Sequence, residues 1–416
     1  MRPVLLRLAG FTLLPLLALV LPFLLLPVVS RVVGAAGWSS ITSGQAIGIF
    51  ASTIILWSWN ISGPVEIARA GAFPLRAALY SRSVRSRILL AVLVLPVMSV
   101  IVALVAREGF RLDAITMAWA TALTGFSPAW YGIGTGQPRI LAVYDTLPRF
   151  FAAIISAPVI LLTGQVWTYG LVSVLTTLVA LIAFHRRFGE PRTWLPRSPW
   201  NVVREIVPTA GTAGINFTGS AYGSSPVPIA TATVPSAAAT AGFASADAIY
   251  RLGLFTIVAL GNTFQGWTLE HDAANPRRRH FAAMAAHAAL GLAGGIFLTL
   301  FGPWVSGVMF GVAVRADTLT CLFYGVSFFF ISSSTPLIRN VLIPAQRQKS
   351  VLMWTAVSAV VGVLLMVAAG LAANVPGIAL GMAVSEALLF LGLLRPSLRI
   401  LPAGARGRGR KVGSAA

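Results

Sequence analysis

The chain has 416 residues, 57% of them hydrophobic and only 10% charged, and its mean hydropathy is +0.83. A soluble domain carries about a quarter charged residues, so this composition excludes a water-soluble enzyme and predicts an all-α polytopic membrane protein. The net charge of +20 does not signal nucleic acid, because the arginines lie between apolar runs rather than along one polar face.

A spanning helix needs roughly 20 mostly apolar residues. Apolar runs fall near 4–29, 41–61, 88–106, 114–134, 142–162, 167–184, 206–234, 244–267, 281–301, 318–338, 351–371 and 376–394, which predicts about 12 transmembrane helices. The first run follows Arg2 and Arg7 as a signal peptide would, but it is too long for a typical signal core and reads as the first span. With the N-terminus in the cytoplasm, 25 basic residues fall on inside segments and four, Arg31, Arg107, Arg111 and Arg315, on outside segments. The positive-inside rule then places both termini in the cytoplasm. The outside loops are short, which leaves no room for an extracellular catalytic domain. Cys321 is the single cysteine and the four histidines show no metal-ligand spacing, so neither disulfide, metal nor cofactor is expected.

The chain echoes itself. Gly37-Trp38-Ser39-Ser40 aligns with Gly242-Phe243-Ala244-Ser245 at an offset of 205, and Gly136-Gln137-Pro138-Arg139 with Ala345-Gln346-Arg347-Gln348 at 209. Six spans separate the copies in both cases, which predicts two parallel six-helix halves, residues 1–200 and 201–400, around a central cavity. A basic cytoplasmic tail, 401–416, suits a surface near anionic lipid.

Span seven is built of Ala, Gly, Ser, Thr and Pro, with Pro226, Pro228 and Pro235, and predicts a broken helix. Span one, its counterpart, carries Pro15, Pro22 and Pro27 and predicts a matching break. Polar groups at membrane depth need a reason. Asp145 and Arg149 stand at i,i+4 in span five, and Asp247 and Arg251 at i,i+4 in span eight, so each pair shares a helix face. Either pair serves as a local ion pair or as part of a binding site. Arg31 is a candidate ligand group or an interfacial snorkelling residue. Asn60 and Asn216 suit substrate contact or helix–helix hydrogen bonding. Glu386, in span twelve, is a candidate proton or cation site.

Four segments resemble bacterial polysaccharide flippases of the Wzx type, within the multidrug, oligosaccharidyl-lipid and polysaccharide exporter superfamily. They are Leu24–Gly34, with Pro27, Arg31 and Gly34 closing an apolar helix; Asn60–Arg69; Phe126–Gly132, with a Pro-x-Trp at Pro128 and Trp130; and Ala241–Arg251. The chain departs from the pattern after Trp130, where it reads Tyr-Gly-Ile-Gly-Thr-Gly-Gln. It departs again in span seven, where Ser224-Ser225-Pro226 stands in place of an acid.

The resemblance implies a transporter rather than an enzyme. It would move an undecaprenyl-diphosphate-linked oligosaccharide across the inner membrane by alternating access, for surface polysaccharide such as O-antigen. The partners it implies are membrane lipid, the lipid-linked substrate and polysaccharide polymerase or assembly proteins. On this reading Arg31, Arg149 and Arg251 receive the diphosphate, since guanidinium matches phosphate with paired hydrogen bonds, and Asp145 and Asp247 hold two of them. The alternatives are a cation-coupled small-molecule exporter of the same superfamily, which needs acids in its cavity, and a polytopic glycosyltransferase or polymerase, which needs a sizeable outer loop.

Overall fold

The structure is a computed structural model describing residues 2–190, 198–268 and 276–401, and among these there is no strand. The basic tail beyond 401 lies outside the described residues. Sixteen α-helices follow one another: α1 (Arg2–Leu56), α2 (Ser62–Arg69), α3 (Phe73–Val105), α4 (Arg111–Ala122), α5 (Ala129–Thr135), α6 (Pro138–Leu141), α7 (Leu147–Thr163) and α8 (Trp167–Phe188). They continue with α9 (Pro199–Ile206), α10 (Ala210–Ser224), α11 (Pro226–Thr233), α12 (Ala237–Thr268), α13 (Pro276–Phe310), α14 (Thr318–Pro336), α15 (Gln348–Leu371) and α16 (Val375–Ile400).

Among the described residues nine helices are long and apolar enough to cross a membrane, and the chain is a multi-pass membrane protein. The remaining apolar runs are helical but differently cut. The first two runs share α1, which leaves helical geometry at one residue, Gly34 (φ 63°). The expected break at the span-one prolines is therefore displaced. A proline removes one intrahelical hydrogen bond and bends a helix without ending it, whereas a positive φ takes the chain out of the helix altogether. The fourth run is α4, a 3₁₀ turn at Leu123–Phe126 and α5, interrupted at Ser127-Pro128. The seventh is the broken helix the sequence predicts. It comprises the last residue of α9, a 3₁₀ turn at Val207–Thr209, α10 and α11, with Pro226 opening α11 and Pro235 following its end.

The described residues divide into two compact units: those within 1–245, 304–316 and 370–375, and those within 246–303, 317–369 and 376–401. In the first unit α1 and α4 meet through small residues four apart. A Cβ at Gly44 or Gly48 would overlap the carbonyl oxygens of Ala114 or Ala118, and Ala114, Ala118 and Ala122 are fully buried. Lipid tails give helices no hydrophobic reason to associate, so close backbone approach through such ridges supplies the packing energy. A second cluster gathers Trp59, Tyr80, Trp130, Tyr131 and Phe184. Trp130, from the Pro-x-Trp segment, lies 5.3 Å from the Trp59 ring, and a Cβ on Gly63 would stand 2.5 Å from its indole.

In the second unit α13 and α14 cross at a glycine pair. A Cβ on Gly295 would lie 2.8 Å from the Gly325 carbonyl oxygen, and one on Gly325 2.6 Å from that of Gly295. Leu337, Leu342 and Leu393 form its buried apolar cluster.

Candidate functional site

The charged pairs form as their spacing dictates, one in each unit. In the second unit, α12 carries Asp247 and Arg251 on one face, and Arg251 Nε donates to Asp247 Oδ2. A third member comes from α14: Tyr324 donates its hydroxyl to Asp247 Oδ1 at 3.1 Å. Tyr250, beside the pair on α12, lies 4.9 Å from the Tyr324 ring. Asp247 is only 6% exposed in its side chain, while Arg251 keeps 25%. The carboxylate is thus fixed from two sides and the guanidinium is the more accessible partner.

Further along the same helix, Asn262 and Gln265 hold a group from the π-helical stretch after α14 that the charge count assigns to an inside loop. Arg339 Nη2 donates to Asn262 Oδ1 at 2.8 Å and to Gln265 Oε1 at 2.7 Å. Among the described residues no carboxylate makes a salt bridge with it. Neutral amides orient the guanidinium without cancelling its charge. The eleven residues from Arg251 to Asn262 correspond to roughly 16 Å of helix. The sequence signal was present, since Asn262 and Gln265 are two amides three residues apart inside an apolar run.

In the first unit Arg149 Nη2 lies 2.9 Å from Asp145 Oδ1, with the side chains 27% and 18% exposed. Asp145 belongs to a π-helical turn, Ala142–Thr146. Pro148 follows it and cannot donate to the carbonyl four residues back, which removes one hydrogen bond from the regular α ladder. A second π-helical stretch, Leu337–Leu342, follows Pro336 and carries Arg339. Both such turns thus hold a charged residue of interest.

Asn60 and Asn216 are brought together: Asn216 Nδ2 donates to Asn60 Oδ1 at 3.2 Å. They close a polar seam along α1 against α10 and α11. Its other links are Ser43 to Thr231 at 2.8 Å, Thr53 with Ser220 at 2.9 Å and the Trp57 indole to Thr209 at 2.9 Å. On α10, a Cβ at Gly211, Gly214, Gly219 or Gly223 would meet nothing within 4 Å. These glycines do not serve close packing as Gly44 and Gly48 do, and they leave backbone uncovered beside the seam.

Arg31 is exposed and donates to the Val308 carbonyl at 2.7 Å, while Ser30 donates to the Phe310 carbonyl at 2.8 Å. Both cover carbonyls in the last turn of α13, where a cation is favoured. Arg107 does the same beyond α11, reaching the carbonyls of Val234 at 2.9 Å and Pro235 at 3.0 Å. Glu386 is buried on α16. Among the described residues no cluster of His, Cys, Asp and Glu could hold a metal ion.

No protein-family profile matches the chain, and no curated protein sequence is similar to it. Solved structures do resemble it. Lipid II flippase MurJ in an inward closed conformation superposes with a TM-score of 0.69, over 96% of this chain and 88% of that one, at 11% identity. An inward-facing multidrug resistance MATE family transporter of the MOP superfamily superposes at 0.61, over 92% and 98%, at 15% identity. A MATE structure in complex with MaL6 gives 0.51, over 95% and 96%, at 13% identity. The chain thus has the fold of MOP superfamily transporters.

Proposed function

We propose that the protein is a flippase that carries an undecaprenyl-diphosphate-linked oligosaccharide across the cytoplasmic membrane by alternating access, for cell-surface polysaccharide. The observation that carries this reading is Arg339, a guanidinium held by two neutral amides of α12 and, among the described residues, by no acid, those amides standing on the same helix as Arg251. A diphosphate supplies the acceptor oxygens such groups lack and matches their forked geometry. Arg149 and Arg251 would bind it, with Asp145 and Asp247 fixing their orientation, and Asn60 and Asn216 would contact the glycan. Both termini are read as cytoplasmic from the charge asymmetry. The TM-score of 0.69 with a lipid II flippase supports the same reading.

A second reading is a cation-coupled small-molecule exporter. The TM-score of 0.61 with a multidrug resistance transporter and the buried carboxylates Asp247 and Glu386 favour it. One experiment separates the two. The gene is deleted in its host and the leaflet of the polyprenyl-linked glycans is assayed with a membrane-impermeant glycan probe. The flippase reading expects complete lipid-linked oligosaccharide to accumulate on the cytoplasmic side. A normal leaflet distribution, together with loss of proton- or sodium-dependent dye efflux, overturns it in favour of the exporter.

A further inference from the structure

The first unit contains a charged group used by none of the sites above. Arg87, on α3, is 0% exposed. Its Nε donates to the Ser83 carbonyl, and its Nη1 to the carbonyls of Gly125 and Ser127, each at 3.3 Å. Charge-assisted hydrogen bonds are ordinarily about 2.7–2.9 Å, so these contacts are long. Nη2, with two N–H groups, has no hydrogen-bond partner among the described residues. Among the described residues no carboxylate bridges to Arg87. The rings of Phe126 and Trp130, at 5.7 and 6.0 Å, are its remaining support. A buried cation kept this poorly satisfied is costly, and the deficit has the shape of a missing anion.

Arg87 lines a cavity of about 520 Å³ between α3, α4 and α8. Apart from Arg87 and Tyr80 the walls are almost wholly apolar, with Leu95, Leu123 and Val174 among them. Four lining residues are exposed: Pro96, Val92 at 64%, Leu178 at 40% and Ile182 at 43%. They belong to α3 and α8, two of the helices apolar enough to span a membrane. Their exposed surface faces lipid, and the cavity opens there. Its volume suits a small-molecule ligand rather than a few waters, and an apolar lining does not hold water. The occupant must therefore combine a hydrocarbon chain with an anionic group and must arrive from the bilayer.

We propose that this cavity binds one chain of an anionic phospholipid, with the phosphate received by Arg87. The cavity shares no residue with the polar seam, so the lipid is a resident ligand rather than the transported one. The carbonyls of Gly125 and Ser127 hold the guanidinium in place, and the lipid phosphate completes its hydrogen bonding.

Native mass spectrometry of the full-length protein, exchanged into nanodiscs of phosphatidylglycerol or of phosphatidylcholine, tests this. The expected result is one tightly retained phosphatidylglycerol and no comparably retained phosphatidylcholine. Arg87→Gln should lower retention by about tenfold or more, the effect of losing charge-assisted bonds, and Arg87→Lys by less. Leu178→Trp leaves the arginine intact and blocks the mouth. It should lose the lipid while keeping the fold, and it decides the matter should Arg87→Gln not fold. Equal retention of both headgroups, or full retention by Leu178→Trp, overturns the proposal. Displacement of the lipid by millimolar inorganic phosphate, with Leu178→Trp still binding that phosphate, overturns it in favour of a free-anion site.

Discussion

Tyr324 on α14 donates its hydroxyl to Asp247 on α12 at 3.1 Å, so the carboxylate that neutralises Arg251 is itself held by a neutral donor from another helix. Tyr324→Phe removes that donor and leaves the ion pair. The expected outcome is a stability loss of about 1–2 kcal/mol, the cost of an unmade buried hydrogen bond, together with a several-fold fall in transport. Thermal unfolding in detergent and the leaflet assay measure the two. Unchanged stability would mean that Tyr324 contributes no net hydrogen bond to Asp247.

The Asp145–Arg149 pair is expected to behave as a unit. Removing one partner leaves a partly buried charge uncompensated, whereas removing both does not. Asp145→Asn alone should therefore destabilise the protein more than Asp145→Asn combined with Arg149→Gln. If the pair also binds substrate, both variants lose transport. If the pair only makes the helix tolerable in lipid, the double variant regains it. Comparing unfolding midpoints with export in the same three proteins separates these outcomes.

The arginines divide by what they touch. Arg31 and Arg107 cover backbone carbonyls at helix ends, and replacing either by Ala should cost about 0.3–1 kcal/mol of stability with little change in apparent substrate affinity. Arg339→Gln is expected to do the reverse, lowering affinity for the diphosphate by about tenfold or more while unfolding near the wild-type temperature. Titration with a soluble polyprenyl-diphosphate analogue provides the affinity.

Three glycine-to-alanine substitutions should rank by backbone geometry. Gly219→Ala meets no atom and should stabilise α10 by up to about 1 kcal/mol. Gly34→Ala also meets no atom but sits at φ 63°, which costs about 1–2 kcal/mol for an L residue. Gly44→Ala would overlap the Ala114 carbonyl, and overpacking of this kind costs about 1–3 kcal/mol. A loss of transport in the stabilised Gly219→Ala variant would show that the uncovered backbone of α10 is used.

The helical class and the membrane setting were legible in the apolar runs, because lipid exposure is what hydropathy reports. The i,i+4 acid–base pairs were legible for the same local reason, helix periodicity. What escaped was long range. Tyr324 reaches Asp247 across 77 residues, and nothing near Tyr324 in the chain announces it. Arg87 precedes the apolar run at 88–106 and counts as a loop residue by hydropathy. Yet α3 begins at Phe73, fourteen residues earlier, and carries it into the protein interior. Arg339 is hidden by the same logic, since the run ending near 338 says nothing of the α12 amides that hold it. The span-one prolines misdirected the reading of α1, because a proline signals a possible bend whereas only a backbone torsion shows where the chain leaves the helix.

That torsion has a mechanical consequence. From Arg2 to Leu56 the chain is two helical segments joined at a kink, and Gly34, at φ 63° with no atom near its Cβ position, is the one non-helical residue between them. Compliance is therefore concentrated in a single swivel, flanked on one side by Ser30 and Arg31, which are pinned to the Phe310 and Val308 carbonyls. On the other side Gly44 and Gly48 are locked against α4. Torque applied to the leading segment is relieved at that joint rather than spread along either helical segment, and the coupling between the two is set by one residue that has no side chain.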